Sequence, residues 1–357
     1  MTATEETPTT AVLDAARLML AQMGISPADL LAVAPAKSAV PTFAEYVPVV
    51  SRAARGHTRR TYDNYWNRII QHWGDRRLDE PTPSEIKELA EYIRTHVVVR
   101  RNARGGRGAV DHFLTALRSV YSHAVADGLI AEADNAARKV PKPRKVPSTR
   151  RALPADRLAE INQVAASTGN DPELDTLLLR LHTETACRRG GALALRSCDL
   201  DPAQCLILLR EKGETTRWQP VSPTLMAHLL RHARERGAEA TGPLLRYRNG
   251  RPITKRRYDH LWERIGRDLP WVSTQGISTH WLRHTTLTWV ERSFGYAVAR
   301  EYAGHIARGS SEGTTATYVR ATIEEVAEAL SALVGEPHPL LEGSPLSSLS
   351  PTAPDVA

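Results

Sequence analysis

The residues best suited to chemistry lie in the stretch Thr279–His284, where His280 and Arg283 are three positions apart. In a helix, side chains at this spacing share one face. An imidazole can move a proton near neutral pH, and a guanidinium can bind two oxygens of one phosphate. The pair therefore suits chemistry on a phosphate group, although a solvated helix face without any function can carry the same pattern.

Other residues of phosphate-handling types follow one another in the same half of the chain. Arg188 comes at the end of a predicted helix, and Lys212 lies in the turn between two predicted strands. His305 follows Ala303-Gly304 after another helix, and Tyr318 comes last. Cations can hold phosphate oxygens, and a tyrosine hydroxyl can act as a nucleophile.

The order Arg, Lys, His-x-x-Arg, Gly-His, Tyr resembles that of the tyrosine recombinase, or phage integrase, family. The resemblance covers roughly residues 42–330, and the spacing from Arg188 to Lys212 is also typical of that family. It implies a DNA strand transferase that uses no metal and no cofactor, because two arginines and a lysine would do what metal ions do in many nucleases. The implied catalytic residues are Arg188, Lys212, His280, Arg283, His305 and Tyr318.

The resemblance also implies a role for each residue. Tyr318 would attack a DNA phosphodiester and form a 3′-phosphotyrosyl link, which stores the bond energy for religation. Arg188 and Arg283 would bind the non-bridging oxygens and stabilise the charge that grows at phosphorus. Lys212 would protonate the departing 5′-oxygen. His280 would act as general base, since free tyrosine has a pKa near ~10.

His305 would hydrogen-bond the phosphate in the transition state.

The chain departs from the family pattern at three places. Gly191 stands three positions after Arg188, where an acidic residue is usual, so the local architecture there is in question. Ala186 replaces the usual glycine before the arginine, and the gap from His305 to Tyr318 is about one helical turn longer than usual.

Each residue also has an ordinary structural interpretation. Arg188 could cap the preceding helix, Lys212 could be a solvated turn residue, and His305 could mark a helix end. Tyr318 could be a core tyrosine. Its rival as nucleophile is Tyr302, which lies before the Gly-His pair and breaks the order.

Composition limits the possible classes of protein. The chain has 357 residues, 41% of them hydrophobic, and this length favours two domains. Its net charge of +7 favours a polyanionic partner such as nucleic acid. Its cysteines are Cys187, Cys198 and Cys205, an odd number without a Cys-x-x-Cys pair, which argues against a disulfide framework. With no signal peptide and no membrane-spanning apolar run, the sequence predicts a cytoplasmic protein without membrane contact.

The elements that must position these residues form a mainly α-helical protein with a small β-sheet. Residues 42–139 are predicted as a helical core-binding domain, 140–151 as a basic linker, and 152–334 as the mixed catalytic domain. Residues 1–41 form a partly helical arm, and the Pro- and Ser-rich residues 335–357 are predicted to be disordered. By the resemblance, the two domains make a C-shaped clamp around duplex DNA.

Local patterns in the catalytic domain predict a hairpin of two strands near 206–209 and 218–221, and a short strand at 244–247. Residues 271–276 look like a turn, and separate helices are expected at 279–293 and 296–303.

Three basic stretches are predicted to contact the DNA backbone, namely one helix start, one glycine-containing loop and the linker. Their residues are Arg59, Arg60, Arg100, Arg101, Arg104, Arg107, Lys142, Arg144 and Lys145.

We interpret the sequence as a site-specific DNA recombinase, the integrase of a mobile element. Recombination needs four strand cuts, so the resemblance implies a homotetramer on two double-stranded DNA sites and leaves room for an accessory DNA-bending or directionality factor. One alternative is a Xer-type chromosome-dimer resolvase, and another is a non-catalytic DNA-binding protein of the same fold. A type IB topoisomerase would share the chemistry.

Overall fold

The chain divides into two units, Met1–Val146 and Pro147–Ala357, and the division falls within the basic segment 140–151. The structure is a computed structural model. It describes residues 10–24, 26, 40–97, 104–144, 148, 150–211, 215–304 and 320–341. These residues are mainly α-helical and include one three-stranded sheet, which confirms the predicted fold class. Within them, no helix is long and apolar enough to cross a membrane.

The described part of the first unit is helical. Its elements are α1 (Thr10–Gln22), α2 (Phe43–Ala53), α3 (Gly56–Trp73), α4 (Pro83–Thr95) and α5 (Arg107–Ala126), with short 3-10 turns at Arg104–Gly106, Glu132–Asp134 and Ala136–Lys139.

Helices α2 to α5 bury a common apolar core. Trp66 of α3 and Tyr121 of α5 are almost fully buried, and the Trp66 indole donates to the carbonyl of Ala116 at 3.1 Å. Helix α4 starts with a capping box, in which the Thr82 hydroxyl accepts from the backbone of Glu85 and the Glu85 carboxylate accepts from the backbone of Thr82. Such a reciprocal cap satisfies two N–H groups that a helix start leaves open.

The second unit combines helices with the sheet. Its elements are α6 (Ala155–Ser167), α7 (Pro172–Thr185), α8 (Arg189–Ala194), β1 (Leu200–Asp201), β2 (Leu206–Glu211), β3 (Thr215–Pro220), α9 (Pro223–Glu235), α10 (Lys255–Asp268), α11 (Pro270–Gln275), α12 (Thr279–Tyr302) and α13 (Ile323–Val334), with 3-10 turns at Ser197–Asp199 and Pro339–Leu341.

The sheet is antiparallel, in the order β1-β2-β3. Its predicted hairpin is confirmed and both strands are longer than expected, so that Glu211 pairs with Thr215 at the open end. Residues 212–214, which join these two positions, lie outside the described residues. The end of β2 packs against α8.

Helix α12 contains a break at Gly295, whose φ of 83° and ψ of 173° are not helical. The break separates the two helices that the sequence predicted at 279–293 and 296–303, and glycine is the residue that adopts such a backbone at low cost.

Two predictions of local structure are wrong. Residues 244–247 form no regular strand. Arg246 and Pro252 form an isolated bridge, and separate backbone hydrogen bonds join Leu244 to Leu195 and Leu245 to Ile253. The expected turn at 271–276 is the short helix α11, which Pro270 starts and Gly276 ends with a φ of +66°.

The tail is ordered further than its composition suggests, so the disorder predicted from residue 335 is wrong as far as Leu341. His338 is buried and its imidazole bonds the carbonyl of Cys205 at 3.2 Å. Glu336 pairs with Arg180 at 2.9 Å. These contacts hold residues 335–341 on the second unit, whereas residues 342–357 lie outside the described part.

Candidate active site

Arg188 follows a tight turn at the end of α7. Ala186 closes the helix in the left-handed region with a φ of +48°, and its N–H donates to the carbonyl of His182 at 3.1 Å. A residue with a Cβ is strained there, at a cost of about 1 kcal/mol or more. This explains why glycine is the usual residue at this position, and why the turn needs support from its neighbours.

A buried network supplies part of that support. The His182 imidazole bonds the carbonyl of Cys187 at 3.1 Å and the hydroxyl of Tyr258 at 3.0 Å. Burial lowers the pKa of His182 to about 4 and raises the pKa of the Cys187 thiol to about 11. Both side chains are therefore neutral near pH 7, and they act as packing and hydrogen-bonding groups behind Arg188.

Arg188 does not cap α7 as the structural alternative supposed. Its backbone N–H donates to Glu211 Oε1 at 2.6 Å, and its guanidinium donates to Glu211 Oε2. The Glu211 side chain is fully buried, while the Arg188 side chain stays 35% exposed. The carboxylate thus holds both the backbone and the guanidinium of Arg188, while part of the Arg188 side chain stays open to solvent.

Arg283 lies one helical turn after His280 on α12 and is only 4% exposed. Its guanidinium donates to the carbonyl of Ala186 and, at 2.7 Å, to the carbonyl of Ala303. Burial, and then the nearby Arg188, lower the pKa of Arg283 to about 10, so it keeps its charge at pH 7. One buried cation therefore ties the turn before Arg188 to the residues that precede His305.

His280 is exposed at the start of α12. The surrounding protein lowers the pKa of His280, first by removing water from the imidazole and then through the positive charges of Arg150 and Arg283. A neutral imidazole can accept a proton, so this position suits a general base. Arg188 acts on the same pKa, which shows that His280, Arg283 and Arg188 share one electrostatic environment.

A third arginine, Arg217 of β3, lies close enough to Arg188 and Arg283 for their charges to interact. Its guanidinium donates to Gln219 and, at 3.4 Å, to the carbonyl of Thr185, and burial lowers the pKa of Arg217. A Cβ on Gly304 would come within 2.4 Å of the Arg217 Nε, so only glycine fits at this point. Arg217 has no distinctive signal in the sequence, because a charged residue in a strand is usually solvated.

Lys212, His305 and Tyr318 of the predicted catalytic set lie outside the described residues. The structure does decide against the rival nucleophile, Tyr302. Its side chain is fully buried, its hydroxyl donates to the carbonyl of Glu184, and burial raises its pKa. Tyr302 is therefore a core residue that cannot reach a DNA phosphate.

The predicted DNA contacts are described in part. Arg59, Arg60, Arg107 and Arg144 are exposed on the first unit. Lys142 is also exposed and contacts Thr115 at 2.6 Å and Asp111 at 3.4 Å. Arg100, Arg101, Lys145 and the side chain of Arg104 lie outside the described part. The set stays a prediction.

Glu211 is the site residue that the sequence analysis missed. It lies directly before Lys212. The one signal in the sequence that could have pointed to it is an acid at position 211 in a chain that has Gly191 where an acid is usual. Neither feature alone predicts a contact with Arg188, because the pairing depends on how the hairpin packs against α8.

Residues 151–325 match the model of the Phage integrase family. Tyrosine recombinase XerC of Xanthomonas axonopodis pv. citri is 26% identical over 307 residues, covering 83% of this chain and 96% of that protein. XerC of Xanthomonas campestris pv. campestris is 30% identical over 225 residues, covering 61% of this chain and 66% of that protein.

Solved structures show a similar fold. A lambda integrase tetramer bound to a Holliday junction matches with a TM-score of 0.58 and 16% identity, over 89% of this chain and 88% of that chain. The Tn1549 transposon integrase in complex with a circular intermediate DNA also matches with a TM-score of 0.58 and 16% identity, over 82% and 99% of the two chains. At these identities the likeness establishes the architecture.

Proposed function

We propose, from the premise that the chain belongs to the phage integrase family of tyrosine recombinases, that it is the integrase of a mobile element. The observation that carries the chemistry is the joint placement of Arg188 and Arg283, held by Glu211 and by two backbone carbonyls. Paired guanidiniums at fixed positions suit the two non-bridging oxygens of one phosphodiester.

In the proposed reaction, the Tyr318 hydroxyl attacks phosphorus and its proton passes to His280. The bond from phosphorus to the 5′-oxygen breaks, and Lys212 supplies the proton that turns this oxygen into a hydroxyl. Arg188 and Arg283 stabilise the negative charge of the transition state, and His305 donates a hydrogen bond to the same phosphate. Religation is the reverse, with the 5′-hydroxyl of the partner strand as nucleophile.

The proposed partner is double-stranded DNA, bound as a homotetramer on two DNA sites. The exposed arginines of the first unit support the DNA contact, since cations release counterions from the phosphate backbone. The tetrameric state is proposed from the lambda integrase tetramer, whose structure is bound to a Holliday junction.

A Xer-type resolvase is the second candidate, because the similarity to XerC spans 96% of the Xanthomonas axonopodis protein. The two candidates differ in their DNA. An integrase should recombine sequences from the flanks of its own gene, whereas a chromosome-dimer resolvase should recombine a site of the host chromosome that lies outside any mobile element. Recombination of plasmids that carry two copies of either sequence separates them.

Covalent trapping tests the reaction itself. We expect wild type to attach to nicked DNA from the flanks of its own gene, and Tyr318→Phe to lose the adduct completely, because phenylalanine has no nucleophilic oxygen. Tyr302→Phe is the matched control, since it removes a buried hydroxyl at a cost of about 1 kcal/mol and leaves the chemistry intact. An adduct that survives in Tyr318→Phe would refute the assigned nucleophile. Tight binding without any adduct, on DNA that recombines in cells, would favour a non-catalytic protein.

The lowered pKa of His280 predicts a specific pH dependence of cleavage. The free imidazole has a pKa of about 6.5. The pKa of His280 lies below that value, so the imidazole stays neutral to a lower pH and the cleavage rate should fall only below about pH 6.5. Arg150→Gln removes a positive neighbour, raises the pKa of His280 and should move this decline to higher pH. The measurement is the single-turnover rate between about pH 5 and 8 on saturating DNA, and an unmoved profile in Arg150→Gln would contradict the role of His280.

A further inference from the structure

The buried carboxylate of Glu211 is the strongest feature of the site that the proposed reaction leaves without a task. Both of its oxygens contact Arg188, one at the backbone N–H and the other at the guanidinium. A backbone contact and a side-chain contact together fix the direction in which the Arg188 side chain leaves the chain. Its burial means that water does not compete for either contact.

Gly191 of α8 makes room for this carboxylate. Its φ lies outside the left-handed region, so the helix does not need a glycine for its conformation. A Cβ at this position would come within 3.1 Å of Glu211 Cγ and 3.4 Å of Glu211 Oε1. The glycine is therefore explained by space, since any side chain would compete with Glu211 for the same volume.

The charges around Glu211 show what the carboxylate compensates. It raises the pKa values of Arg217 and Arg283, whereas Arg188 lowers both. Three neighbouring guanidiniums repel one another, and an anion among them offsets that repulsion. Without the carboxylate, repulsion from Arg217 and Arg283 would favour conformations in which the Arg188 guanidinium points away from them.

We propose that Glu211 is the positioning residue of Arg188, and that it does from the end of β2 what an acidic residue at position 191 would do from α8. Since Glu211 precedes Lys212, the same contact fixes the strand end from which the 212–214 segment begins. The proposal rests on the proposed function, because it assigns Glu211 to the reaction that Arg188 serves.

An ordinary structural ion pair is the competing explanation, and the chain contains a matched control. Asp199 and Arg210 form a pair of nearly identical burial, with side-chain exposures of 1% and 35%, against 0% and 35% for Glu211 and Arg188. Arg210 is also on β2, but outside the proposed reaction. Asp199→Ala should therefore cost stability of a similar size without a specific effect on cleavage.

The experiment compares Glu211→Ala, Glu211→Gln, Asp199→Ala and the relocation variant Gly191→Glu/Glu211→Ala. For each, the single-turnover rate of covalent-adduct formation is measured on saturating nicked DNA, with the Kd for DNA and the Tm measured in parallel. We expect both Glu211 variants to lose about 10²-fold in rate, as for a misplaced catalytic group, with Kd near that of wild type. Asp199→Ala should keep the wild-type rate, and the relocation variant should recover most of it.

Two results would overturn the proposal. One is an equal loss of rate in Glu211→Gln and Asp199→Ala, which would make Glu211 a structural ion pair. The other is a relocation variant that regains its Tm without regaining its rate. If wild type itself forms no adduct on DNA that recombines in cells, the proposed function fails instead, so the two failures are distinguishable.

Discussion

Arg283→Ala will reduce the rate of covalent-adduct formation by about 10³-fold, the upper range for removing one donor that stabilises transition-state charge. The expected loss is large because the guanidinium has two tasks. It is one of the two proposed phosphate ligands, and it also holds the carbonyls of Ala186 and Ala303. Without it, the strained turn before Arg188 and the residues that lead to His305 lose their common anchor.

Arg283→Lys separates charge from geometry. An ammonium keeps the positive charge but lacks the planar fork that reaches two carbonyls at once, so we expect a loss of rate nearly as large as in Arg283→Ala. Arg292→Ala is the matched control, since Arg292 is an exposed arginine on the same helix. DNA binding should stay close to wild type in all three variants. A lysine variant that cleaves at the wild-type rate would show that the fork is not needed.

Asp175→Asn is expected to lower the free energy of unfolding by about 3–5 kcal/mol, because breaking a buried ion pair leaves charges uncompensated. The fully buried Asp175 carboxylate binds Arg257 and Arg264, each at 2.6 Å, and joins α7 to α10. Asparagine keeps the volume and removes the charge, so the loss reports the charge itself. For a unit of this size the expected fall in Tm is about 10 °C.

Chemical denaturation and calorimetry measure that loss, with Asp259→Asn as the control. Asp259 is 66% exposed and pairs with Arg189 at 3.5 Å, so its removal should cost at most about 1 kcal/mol. A loss of similar size in both variants would mean that the buried pair contributes no more than a surface pair.

The sequence predicted those parts of the fold that depend on neighbouring residues. The hairpin of β2 and β3 and the break near Gly295 follow from local patterns of turn and apolar residues. It failed at 244–247, where only isolated pairing replaces the expected strand, and at 271–276, where a short helix started by Pro270 replaces the expected turn. The ordered residues 335–341 depend on tertiary contacts that composition does not reveal.

The candidate site divides in the same way. Residue type and order predicted roles for Arg188, His280 and Arg283, because the proposed chemistry requires those side chains. They did not identify the contact of Glu211 with Arg188 or the carbonyl contacts of Arg283. A backbone carbonyl has no signature in a sequence, and the space beside Gly191 exists only once β2 packs against α8.

The contacts of Arg283 also bear on how the protein is made in the cell. Ala186 and Arg283 are 97 positions apart in the chain. At about 5–20 residues per second, a ribosome needs roughly 5–20 s to make the segment between them. During that interval the turn before Arg188 has been synthesised without its anchor. A growing chain therefore lacks the proposed phosphate site until Arg283 and Ala303 have been made, and strand cutting must wait further for Tyr318, the proposed nucleophile.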